Sequence, residues 1–173
     1  MQNLRFILIA LLLSGCAAGN VSSDYSPAKR LGKGALVMSM TYTPDAPTFT
    51  LLYRPVGTNG VEAFLSNTVP HPEDWKNPAG RLVVSELPAG NYEIFRYVGG
   101  WYESKKPFSI PFTVVEGKAV YIGNIHVDEM RTAGTFRISV TDRSDRDIPF
   151  LRARYKNVKE SDIVKNMSTV RWD

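Results

Sequence analysis

Apolar and polar residues alternate with period two along most of the middle of this chain, the signature of strands that bury one face. Leu36, Met38, Met40 and Tyr42 alternate with Ala35, Val37, Ser39 and Thr41, which predicts a strand with one strongly apolar face. Phe49, Leu51 and Tyr53 make a second such strand, closed by Pro55. Asn59-Gly60 is a short-range hairpin signal ahead of a short strand over 61–65. Residues 81–87 are rich in apolar and β-branched side chains, Pro88-Ala89-Gly90-Asn91 breaks the run, and Tyr92, Ile94 and Phe95 resume it. A hairpin is the simplest reading of that stretch. Phe108, Ile110, Phe112 and Val114 share one face, with Ser109, Pro111 and Thr113 on the other. Pro111 cannot donate to a ladder, so this strand is expected at an edge or bulged. Glu116-Gly117 makes the next turn, and the chain returns as a strand through Val127, with Val120 and Ile122 opposite Tyr121 and Ile125. Gly123 in mid-strand predicts a bulge or a close backbone approach. Phe136, Ile138 and Val140 form the inward face of a last strand over 134–141.

The pattern changes after Ser144. Ser144-Asp145-Arg146-Asp147 resembles a helix start, and Pro149 is tolerable only in a first turn. Phe150, Leu151 and Tyr155 give an apolar stripe at helical spacing, and Ser161-Asp162 caps a second short helix through Met167. The expectation is therefore a mainly β chain, an antiparallel β-sandwich of about seven or eight strands with a short C-terminal helical tail.

The segment LPAGNYEI over 87–94 resembles the signature turn of carboxypeptidase-regulatory-like domains, which are prealbumin-like, Ig-like sandwiches. FTVVEGKAVYIGNI over 112–125 resembles a segment of bacterial lipoproteins of unknown function built on such domains. The resemblance implies that sandwich fold and roles in attachment, scaffolding or surface display. It implies no catalytic residue, because those of carboxypeptidases lie in a different domain.

The first 15 residues read as an export signal: Arg5, then an apolar run over 6–13, far shorter than the ~20 residues a spanning helix needs. Leu13-Ser14-Gly15-Cys16 resembles the bacterial lipobox, which implies cleavage before Cys16 and acylation of its thiol. Cys16 is the only cysteine, so disulfides cannot hold the exported body together. Ala17 in place of aspartate favours the outer membrane of a double-membraned cell by the same resemblance, with the body facing the periplasm. The division expected is 1–15 signal, 16–33 lipidated tether, 34–142 sandwich and 143–173 C-terminal extension. Lys29, Arg30 and Lys33 in the tether either lie against anionic headgroups or face solvent. The formal charge of +4, less Arg5, is too small to imply nucleic acid.

Candidate chemistry is thin. His71 lies near Glu73 and Asp74, and His126 can share a strand face with Asp128, but a metal site wants three or four ligands with supporting partners. No Gly-x-Ser-x-Gly elbow, phosphate loop or distinctive carboxylate pair appears. No metal or cofactor is called for, and the chain is expected to be non-catalytic, with a metal-dependent hydrolase the less favoured reading. The suggestive group is YVGGWY over 97–102: Gly99-Gly100 turns the chain and leaves Trp101 and Tyr102 near the tip, as a contact for protein or glycan or as rings folded back on the sandwich. Tyr97 belongs to the same group, and Lys105 and Lys106 follow it. Trp75 sits in a proline-rich loop over 66–80; either it anchors a binding loop, or it plugs the open end of the sandwich, as lone tryptophans in long loops tend to do. The functional expectation is a lipid-anchored module that binds or scaffolds an envelope protein or glycan, with an accessory lipoprotein of an assembly or secretion system as the alternative. The sequence sets no oligomeric state.

Overall fold

The computed structural model describes residues 20–43, 49–65, 73–99, 102–130 and 134–172. Among the described residues, twelve strands fall in two six-stranded sheets that pack face to face. Sheet one runs β10 (Thr135–Thr141), β9 (Ala119–Met130), β1 (Lys33–Tyr42), β5 (Ala79–Pro88), β4 (Trp75–Lys76), with β11 (Ile163–Lys165) also on β9. Sheet two runs β12 (Arg171–Trp172), β8 (Phe108–Val114), β6 (Gly90–Gly99), β2 (Phe49–Pro55), β3 (Glu62–Leu65), with β7 (Tyr102–Glu103) on β6. The β-sandwich class holds. The strand count exceeds the expected seven or eight because β4, β7, β11 and β12 are two or three residues long, too short to show a period.

Two connections and one sheet differ from expectation. The turn at Pro88-Ala89-Gly90 does not close a hairpin: β5 and β6 lie in different sheets, and the chain turns a corner between them. The Glu116-Gly117 turn does the same between β8 and β9. Sheet one is also mixed, since β1 and β11 both run parallel to β9. Residues at a corner and at a hairpin show the same alternation, since Leu87 and Tyr92 both point into the core either way. Asn59-Gly60 does lie in a hairpin connection, between β2 and β3.

Leu36, Met38, Met40 and Tyr42 point between the sheets, against Leu51, Tyr53, Ile94, Ile110 and Val120. The other face of β1 is buried too. Val37, with Leu82, Val84 and Tyr121, forms a second core on the outer side of sheet one. Helix α1 (Ser144–Arg154) covers it with Leu151, and Tyr155 and Val158 follow. The described residues therefore stack in three layers, α1 on sheet one and sheet one on sheet two.

Gly123 fulfils its predicted role. Register shifts by one between Val37↔Tyr121 and Ser39↔Asn124, and Gly123 takes φ +116° with Val140 and Met167 against it. Pro111 lies on an edge strand, flanked beyond β6 only by two-residue β12. In the tail, Pro149 lies inside α1 rather than in its first turn. The expected second helix is a single 3-10 turn, Glu160–Asp162, leading into β11. The latter pairing with β9 competes successfully with a local helix too short to stand alone.

The stretch read as tether is packed from Asn20 onward. The Asn20 side chain accepts from Val84 N (2.8 Å) and donates to the Leu82 carbonyl (3.2 Å), closing part of the β5 edge. Val21 N donates to Val84 O at 2.9 Å, and Tyr25 and Pro27 are buried. Burial and nearby Glu86 push the Tyr25 hydroxyl up to about 12. Cys16 and the lipobox residues Leu13, Ser14 and Gly15 lie outside the described residues, as do His71 and Trp101.

Candidate functional site: the open face of sheet two

Two of the regions where polar side chains gather among the described residues differ in access. The first lies under α1. Ser39 and Thr41 on β1 project from the outer side of sheet one toward Asn124 on β9 and Asp147 on α1. Asp147 is fully buried. Its carboxylate accepts from Ser39 Oγ (2.6 Å), Tyr121 OH (2.8 Å) and Arg146 Nε (2.8 Å). The Arg146 guanidinium lies 3.9 Å from the centre of the Trp75 ring, which in turn packs 5.2 Å from Phe150. Burial and the Asp147 charge together raise the Tyr121 hydroxyl far above its ordinary range, so it stays a donor. This cluster clasps the helix to the sheet. These groups are spent on one another, which suits a lock.

His126 borders that lock. Its Nδ1 lies 2.9 Å from Thr41 Oγ1, and burial holds the imidazole below its usual pKa while Asp128 pulls the other way. Of the two effects on His126, burial is the larger and Asp128 the smaller. Among the described residues no group of three or more His, Cys, Asp or Glu is placed to hold a metal ion.

The second region is the outer face of sheet two, over which no described element lies. Its defining feature is a bulge in β6. Leu52 pairs with Arg96 and Tyr53 with Ile94, so Phe95 is an extra residue. Ile94 and Tyr97 both point into the core, and Phe95 and Arg96 together turn outward. Neighbouring strands supply the rest. Arg54 stands on β2, with its guanidinium 4.3 Å from the Phe95 ring centre and 2.8 Å from the Glu93 carboxylate. Ser109 on β8 donates to the other Glu93 oxygen at 2.9 Å. The result is a groove of about 190 Å³ lined by Arg54, Glu93, Phe95, Arg96, Lys105 and Ser109.

Its electrostatics favour anions. Arg54 is tied to Glu93, whereas Arg96 is half-exposed and only 3.8 Å from Glu103, and Lys105 is exposed. Lys105 and the partly paired Arg96 therefore stand together beside the Phe95 ring, one face of which Arg54 already covers. The groove is shallower than the ~300 Å³ or more of an enclosed small-molecule pocket, so it suits one side chain or one sugar unit of a larger partner.

The aromatic residues singled out from sequence divide. Tyr97 is fully buried: its ring stacks on Phe136 (4.5 Å between centres) and its hydroxyl donates to Glu129 at 3.2 Å. It is a core residue and not a contact residue. Trp75 is half-buried, but against Arg146 and Phe150 at the edge of sheet one rather than in an end of the sandwich. Tyr102 pairs with Gly99 where β7 lies on β6, and the groove-lining Ser104 and Lys105 follow β7 in the chain. Phe95, Arg96 and Arg54 were missed by sequence reading. The one legible signal was the three-residue spacing of Ile94 and Tyr97, which a regular strand cannot place on one face.

No family model, curated protein or solved structure matches this chain. The functional reading therefore rests on the residues and their geometry.

Proposed function

We propose that this chain is a lipid-anchored, non-catalytic β-sandwich that binds or scaffolds a protein or glycan of the bacterial cell envelope. The observation that carries the reading is the asymmetry of the two outer faces. Sheet one is sealed by α1 and the residues beyond it, while sheet two leaves Phe95, Arg96 and Lys105 uncovered. The Leu13-Ser14-Gly15-Cys16 motif supports an acyl anchor, and Asn20, four residues later, is already packed on the body. Four residues span at most ~14 Å, so such an anchor would hold the body close to its membrane. A short leash and one open, cationic face suit a partner that is acidic or rich in hydroxyls and shares the same surface.

The test replaces Lys105 with a photoreactive residue in cells. The expected result is a discrete crosslinked envelope protein or glycan that is lost when Phe95→Ala and Arg96→Glu are added. An unchanged crosslinking pattern in that variant would show that the groove is not the contact surface.

A further inference from the structure

One end of the sandwich carries most of the exposed aliphatic side chains. By strand register, the starts of β1, β3, β6 and β9 and the ends of β2, β5 and β8 meet there, since Lys33 pairs with Pro88, Pro55 with Tyr92, Tyr53 with Glu62 and Gly90 with Val114. Hydrogen bonds tie its turns together: Ala89 N donates to Gly32 O (3.0 Å), Gly117 N to Lys33 O (2.9 Å) and Val56 N to Asn91 O (3.0 Å). Leu31 stands 93% exposed on one turn, Val56 (57%) and Val61 (59%) on the next, and Val115 (41%) on a third. These are four of the seven exposed large apolar residues among those described; Val98, Met130 and Trp172 lie toward the other end. Gly32 takes φ +68° just after Leu31, so the chain turns sharply and leaves that leucine projecting.

Basic side chains surround these tips. Arg30 and Lys33 share the single carboxylate of Glu86, each at 3.0 Å. Lys118 donates to the Ser161 carbonyl at 3.0 Å, and Lys29 has no ion pair among the described residues. Against these four cations stand Glu62, Glu86 and Glu116, with the Arg152–Glu160 ion pair and the buried Asp162 beside Ser161, so the end carries little net charge.

We infer that this end seats on an anionic lipid surface, with Leu31, Val56, Val61 and Val115 entering the boundary between headgroups and acyl chains. The inference rests on the envelope reading and deepens it, by saying which end of the body meets the membrane. Two features select lipid over protein. The apolar groups are single aliphatic tips on separate turns, whereas protein hot spots cluster and favour Trp, Tyr and Arg. Long basic stems beside them can lie along the apolar layer while their charges reach headgroups. Because the net charge is small, the tips supply most of the attraction and the headgroup charge adds a preference.

The test uses the full chain with Cys16→Ser, so that no acyl chain contributes, and Leu31→Cys carrying an environment-sensitive dye. A second protein carries the dye at Met130→Cys, at the opposite end. Both are mixed with vesicles of phosphatidylglycerol or of phosphatidylcholine. The expected result is a blue shift of the dye at position 31 on both lipids, larger on phosphatidylglycerol, and none at position 130. In the unlabelled Cys16→Ser chain, Leu31→Asp should lower partitioning about tenfold. No shift at 31, equal shifts at both positions, or a shift at 31 that rises with protein concentration in the absence of vesicles would each overturn the inference, the last by revealing self-association. Acyl labelling of the unaltered chain is read separately: loss of that signal with a retained shift at 31 would overturn the lipid anchor and leave the seating surface standing.

Discussion

Asp147 is buried away from solvent, and three donors decide what its carboxylate is worth. Arg146, Tyr121 and Ser39 all spend a hydrogen on its carboxylate. Asp147→Ala leaves the Arg146 guanidinium without its partner and the hydroxyls without an acceptor. A loss of about 3 kcal/mol is expected in chemical denaturation, at the low end for a broken buried pair because Arg146 keeps some solvent contact. His126 adds a pH dependence. Burial lowers its pKa in the folded state, so below ~6.5 the unfolded chain binds more protons there and stability falls as pH falls through that value. His126→Gln should remove this component: its denaturation midpoint relative to the unaltered chain should rise between pH 7.5 and 5.5. A constant difference across that range would show that His126 titrates normally. At this scale the sequence was legible for packing and illegible for pairing. Alternation showed that Ser39 and Thr41 oppose Met38 and Met40, but only the arrival of α1 from over a hundred residues later makes their face a buried one.

At the scale of elements, α1 forms in spite of its sequence. Pro149 in its interior lacks an N–H and crowds the preceding turn. The helix persists because Leu151 is buried in the outer core and Phe150 packs on Trp75. Pro149→Ala should therefore stabilise the protein by ~1–2 kcal/mol: relief of a proline cost near 3 kcal/mol is partly offset by greater freedom of the unfolded chain. Thermal unfolding of the two proteins checks this, and an unchanged or lower midpoint would mean that the proline is accommodated without cost. The strands were read well where a core face alternates for five or more residues. The connections were not, because a corner and a hairpin use the same turn residues and the same alternation. The bulge at Phe95 was missed for a related reason: its effect is to shift two residues to one side, which a period-two reading treats as noise. It is also the local irregularity that builds the candidate groove.

At the scale of the whole molecule, the two outer faces and the two ends have different characters. One face is sealed by the helix, and the other presents cations around an aromatic ring. One end gathers projecting aliphatic tips and basic stems, and these become visible only when turns far apart in sequence are brought together by strand register. The fold class was readable from alternation alone, whereas the site depends on residues contributed by β2, β6 and β8 and by the turn after β7. The proposed role as an anchored contact module stands or falls on the N-terminal cysteine. The most direct measurement is the intact mass of the protein extracted from bacterial envelopes. The account predicts a chain that begins at Cys16 and carries covalent acyl groups on it. A chain that retains the residues before Cys16, or that begins there without acyl mass and is released as a soluble protein, would contradict it.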